Sequence, residues 1–132
     1  MFNFFAYGTL QLPEVMQTVT GQRCKPQPAR LEHFARYRLK NKSFPGIRPE
    51  PGSLVQGMVY LSLNDQIVDC LDAFEDAFYH REPVAITISG GDEYIAQTYV
   101  VNADCHGLLS TEAWCLEEFR RVHLTLFLLH HE

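Results

Sequence analysis

The chain has 132 residues, 46% hydrophobic and 20% charged, with a formal net charge of -5. This is enough for one domain with a proper core, 1–132, and the acidic balance speaks against a surface built for nucleic acid or an anionic membrane. Cys24, Cys70, Cys105 and Cys115 show no C-x-x-C pair and no regular spacing, so free thiols in a reducing compartment such as the cytoplasm are expected rather than disulfides or zinc.

The stretch Phe2-Asn3-Phe4-Phe5-Ala6 has the apolar, aromatic character of a buried strand, and it runs into Tyr7-Gly8-Thr9-Leu10. Gly8 breaks the strand, and the successive amides after it form a concavity suited to a carboxylate, a phosphate or a developing oxyanion, with the Thr9 hydroxyl beside them. Pro13 at a first helical position and Gly21 as a stop predict a short helix between them. Pro26 and Pro28 mark irregular or edge structure, and alternation from Phe34 to Lys42 predicts a half-exposed strand. Its row of Arg36, Arg38, Lys40 and Lys42 reads as a solvated face rather than a nucleic-acid surface. Phe44 to Gly52, with Pro45, Pro49 and Pro51, is expected to be a stiff loop before a strand over Leu54 to Leu61. Gly57 inside that strand would let another backbone or a ligand come close.

Asn64 can cap a helix in which Ile67, Leu71, Phe74 and Phe78 share a buried face. At about 100° per residue, Asp65, Asp69, Asp72 and Asp76 form a solvated acidic stripe opposite it, while Glu75 projects at the border of the buried face. A carboxyl there can enter a partly buried pocket, where the helix end and the neighbouring acids raise its pKa. Arg81 is placed to pair with one of those acids, and Tyr79 either to supply a hydroxyl or, the better expectation, to fill core. Val84 to Ile88 and Tyr94 to Val101 predict a hairpin around Gly90-Gly91-Asp92. Thr111 is expected to cap a last helix with Cys115, Phe119, Val122, Leu126 and Leu129 on one face. His123, His130, His131 and Glu132 have no ligand spacing, so no metal site is expected.

Tyr7-Gly8-Thr9-Leu10, Phe44-Pro45-Gly46-Ile47 before Gly57-Met58-Val59-Tyr60, and Leu71-Asp72-Ala73-Phe74-Glu75 followed by Tyr79-His80-Arg81 stand here in the order found in a known family. With these motifs the chain resembles the gamma-glutamylcyclotransferase superfamily, in its AIG2-like and gamma-glutamylamine cyclotransferase branch. The resemblance implies an α+β fold, a small mixed β-barrel of five to seven strands flanked by helices. It also implies that the turn at Tyr7, Gly8, Thr9 and Leu10 binds the glutamyl part of a small-molecule gamma-glutamyl substrate, and that Glu75 is the catalytic acid/base, with no cofactor. Such a reaction needs only a folded substrate and a proton carrier, because the substrate's own α-amine attacks its γ-carbonyl to form 5-oxoproline. The alternatives are an idle binding module on the same fold and a nucleic-acid-binding barrel using Arg36 to Lys42. They separate on whether Glu75 and the Gly8 to Leu10 backbone face one cavity.

Overall fold

The computed structural model describes residues 1–130. Five strands close into a barrel in the order β1-β3-β2-β4-β5: β1 Phe2–Ala6, β2 Gln27–Arg38, β3 Pro45–Leu63, β4 Tyr79–Ile88 and β5 Glu93–Val101. Neighbours are antiparallel except β1 and β5, whose parallel contact at Phe4 and Gln97 closes the ring. The fold is therefore an α+β mixed barrel. Side chains alternate across the wall as strands require: Phe5 and Val59 join a cluster drawn from all five strands, whereas Phe4 and Tyr60 face a second cluster shared with the helices.

Two elements match the sequence reading closely. Helix α1 spans Pro13–Thr20 and stops at Gly21, which takes φ 78 and donates its N–H to Gln17 O. The β4–β5 hairpin turns through Gly90 and Gly91, both at positive φ. Gly57 also does what was expected of it: a Cβ there would lie 2.5 Å from Ala6 O, so its bareness lets the end of β1 pack closely against β3.

The expected loop from Phe44 to Gly52 is instead largely the first part of β3, and β2 begins at Gln27 rather than after its prolines. β1 covers β3 only over residues 58–63, so Pro45 and Pro49 pair with β2 on one side and need no ladder N–H on the other. The register skips between Pro49 and Leu54, opposite a bulge at His33 with φ 66, which absorbs Pro51 and Gly52 without ending the strand.

Helix α2, Gln66–Phe74, starts with Asn64 Oδ1 accepting from Gln66 N–H and ends before Phe78. Entry into β4 at Tyr79 forces that stop: Asn102 N–H donates to Phe78 O and Tyr79 N–H to Asp76 O, so the backbone is already committed to turn and sheet. Thr111 caps nothing, because the last helical segment begins at Leu116. It runs as α3 Leu116–Glu118, a π-helical turn Phe119–His123 and α4 Leu124–His130. The wider turn rotates the face that follows it. Phe119, Leu124 and Phe127 therefore face the core, while Val122, Leu126 and Leu129, expected inside, are exposed. Among the described residues no helix is long and apolar enough to cross a membrane.

Candidate active site

β1 ends at Ala6, and Tyr7-Gly8 then leads into a single 3-10 turn, Thr9–Gln11. Gly8 has φ -119, so left-handed geometry is not what calls for glycine here; the cause is Pro45, whose Cγ and Cδ would lie 3.1 Å from an added Cβ. Gln11 N–H closes the turn on Gly8 O, and Tyr60 OH donates to Leu10 O at 2.6 Å. The N–H groups of Gly8, Thr9 and Leu10 find no acceptor among the described residues. All three residues line a cavity of about 310 Å³.

Glu75 lines the same cavity. It is the first residue past α2, with extended backbone and its N–H on Leu71 O, so its side chain leaves the helical face and lines the cavity. No protein hydrogen bond is among the influences acting on its carboxyl. Burial first, then Asp76 and Asp72, push its pKa up to about 8. The sequence reading had the direction and the two acids; burial is the larger cause, because apolar walls strip water from a group that no cation compensates.

Asp65, Asp69, Asp72 and Asp76 are all exposed, as the acidic stripe requires, but two of them do more than meet solvent. Asp72 accepts from Arg81 Nε at 3.0 Å and from Tyr99 OH at 2.6 Å. The Arg81 hydrogen bond holds its pKa low, so it is a fixed negative charge behind Glu75. Asp76 lies beyond the helix and, while exposed, also lines the cavity, which a helical projection alone does not place there.

Tyr7 serves through its ring and its carbonyl. Its hydroxyl is engaged by Tyr99 O at 2.7 Å, and its carbonyl accepts from Gln11 Nε2 at 2.9 Å and Arg36 Nη1 at 2.8 Å. Arg36 thus belongs to the support of the site rather than to a solvated row, and Arg38, whose Nε donates to Lys42 O, is half-buried as well. Neither Arg36 nor Gln11 carries a local sequence signal for this role. Of the two readings of Tyr79 the hydroxyl one holds: it lines the cavity and donates to Pro45 O at 2.6 Å. The aromatic side of the cavity comes from Phe44, Phe74, Phe119 and Phe127. Among the described residues no group of three or more His, Cys, Asp or Glu is arranged to hold a metal, and His131 and Glu132 lie outside them.

A small closed mixed barrel whose cavity is lined both by residues with unengaged backbone amides and by a carboxyl of raised pKa defines a class of site suited to binding an anion-bearing small molecule. The chain belongs to the AIG2-like gamma-glutamyl cyclotransferase family, whose model matches residues 4–116. It is 31% identical over 131 residues to AIG2-like protein D of Arabidopsis thaliana, covering 97% of this chain and 85% of the relative. A solution structure from the same plant superposes with a TM-score of 0.76 at 28% identity, covering 98% of this chain and 87% of that one. A structure described as a gamma-glutamyl cyclotransferase shares the fold, with a TM-score of 0.67 at 23% identity over 76% of this chain and 66% of its own.

Proposed function

We propose that the protein is a gamma-glutamyl cyclotransferase that converts a gamma-glutamyl amide into 5-oxoproline and a free amine. The observation that carries this reading is the meeting of Glu75 and the Gly8 to Leu10 amides in one cavity of about 310 Å³. That volume suits a molecule of gamma-glutamyl amide size. The amides take an anionic oxygen of the glutamyl unit, either its α-carboxylate or the oxyanion that develops on the γ-carbon.

Folding of the substrate between these two poles brings its α-nitrogen against the γ-carbonyl carbon. The α-ammonium loses a proton to the Glu75 carboxylate and the freed amine attacks. The new C–N bond closes the five-membered ring and the old amide C–N bond breaks. The departing nitrogen takes the proton from Glu75, and the second proton shed by the ring nitrogen also leaves with the amine as an ammonium ion. A carboxyl with a pKa of about 8 can accept and return that proton near neutral pH, which an ordinary glutamate at about 4.3 does poorly. The amine half of the substrate rests against Phe74, Phe119 and Phe127, the last two on helical segments that reach past the family match.

The reading is tested by incubating the protein with a panel of gamma-glutamyl-amines and gamma-glutamyl-amino acids and measuring 5-oxoproline release. Turnover of at least one compound is expected. Inactivity across the panel, with 5-oxoproline still bound, would replace the enzyme by a binding module on the same fold.

A further inference from the structure

The Tyr7–Gly8 peptide is held from one side by a cation. Tyr7 O accepts from Arg36 Nη1 at 2.8 Å and from Gln11 Nε2 at 2.9 Å. Arg36 Nη1 also donates to Gln56 O on β3 at 2.9 Å, and its guanidinium lies over Trp114, 5.7 Å from the ring centroid. Trp114 is fixed in turn by Nε1 donating to Ser43 O at 2.7 Å. The guanidinium is thus pinned from several directions and is half-buried. Burial lowers its pKa, but guanidinium remains protonated at any working pH.

A peptide unit is planar and, in its trans form, carries its C=O and N–H in opposite directions. Two donors on Tyr7 O therefore decide where Gly8 N–H points. Gly8 lines the cavity, and its N–H meets no acceptor among the described residues. A charge-assisted bond on the carbonyl also polarises the amide and makes its N–H a stronger donor. We infer that Arg36 and Gln11 are positioning residues that aim and strengthen the Gly8 amide as the anion donor of the site. This rests on the proposed cyclotransferase reading for what the anion is, but not for the existence of the donor.

The test follows the Gly8 amide resonance by NMR during titration with 5-oxoproline and, separately, with acetate, alongside steady-state kinetics on any gamma-glutamyl amide that is turned over. In the wild type the Gly8 proton should move downfield with either anion. In Arg36→Met that movement should be lost, 5-oxoproline affinity should fall at least about tenfold, and kcat/KM by about 10²-fold, the effect of one such donor. A rise in KM alone assigns Gly8 N–H to the α-carboxylate, and a fall in kcat alone assigns it to the oxyanion. Arg36→Lys, which keeps a cationic donor, should restore most of the loss. Should Arg36→Met fail to fold, Gln11→Met removes the other bond to Tyr7 O, leaves the Trp114 stack, and should show the same losses at smaller size. A Gly8 resonance that ignores both anions in the wild type, or responds equally in the variants, overturns the inference even if turnover is found. An acetate response with no turnover on any substrate leaves the clamp standing and removes the enzyme instead.

Discussion

Replacing Glu75 by Gln should stabilise the fold in alkaline solution while leaving it unchanged in acid. The carboxyl titrates at about 8 in the native protein and at about 4.3 when unfolded. The folded state therefore holds a proton that the unfolded state has lost, and stability falls as pH rises between those values. Below about 4 both states are protonated and the residue costs nothing. Above about 8 the native protein must carry a desolvated carboxylate beside Asp76 and Asp72. The displacement sets an upper limit of about 5 kcal/mol, since each unit is worth about 1.36 kcal/mol. Glu75 is only half-buried, so solvent screens part of this, and about 2 kcal/mol is the expected size. At about 2.1 cal/mol/K of unfolding entropy per residue, a chain of 132 residues turns this into a Tm rise of about 7 °C. The assay is thermal unfolding of both proteins at pH 4 and pH 9. Equal Tm values at pH 9, or a less stable Glu75→Gln, would refute the burial argument for Glu75.

Other consequences concern its neighbours. kcat/KM should climb with pH as free Glu75 loses its proton, levelling above about 8. Asp76→Asn removes the larger of the two carboxylate influences on Glu75, so the rising limb should move to lower pH by about half a unit or more; an unmoved limb would show that Asp76 does not act on the base. Gly8→Ala brings a Cβ to 3.1 Å from the Pro45 ring and should weaken 5-oxoproline binding a few-fold, with Gly8→Val, which adds two branches there, at least tenfold worse by calorimetry. Normal affinity in a folded Gly8→Val protein would make the turn ordinary structure.

What the sequence reveals here depends on how local the cause is. Gly21 and the Gly90-Gly91 pair act within their own turns, and the α1 and hairpin boundaries follow from them. Gly57 is nearly as legible, because an interrupted strand implies a close neighbour, although nothing local says that it is Ala6 O. The first part of β3 is hidden because its prolines are tolerated only by its lying at the edge of the β2 ladder, a fact of topology. The end of α2 is hidden for a related reason. Phe78 continues the helical apolar period, yet Asn102 and the start of β4 take its backbone, and this displaces Asp76 into the cavity. The π-helical turn at Phe119–His123 defeats periodicity outright by changing the period. Within the site, Glu75 and the Gly8 turn are legible because each is one member of a short motif. Arg36 is not, since its partner Tyr7 O is 29 residues away and an alternating basic row looks the same whether it meets solvent or a carbonyl.

The central claim is that Glu75 carries the proton between the attacking and departing nitrogens. Its most direct measurement compares 5-oxoproline release by Glu75→Gln and by Asp69→Asn on whichever gamma-glutamyl amide the wild type turns over best. Asp69 is the proper control, being an exposed acid of α2 outside the cavity. The account predicts a loss of at least about 10² to 10⁴-fold in kcat for Glu75→Gln with retained 5-oxoproline binding, and wild-type rates for Asp69→Asn. Equal turnover by the two variants would contradict it.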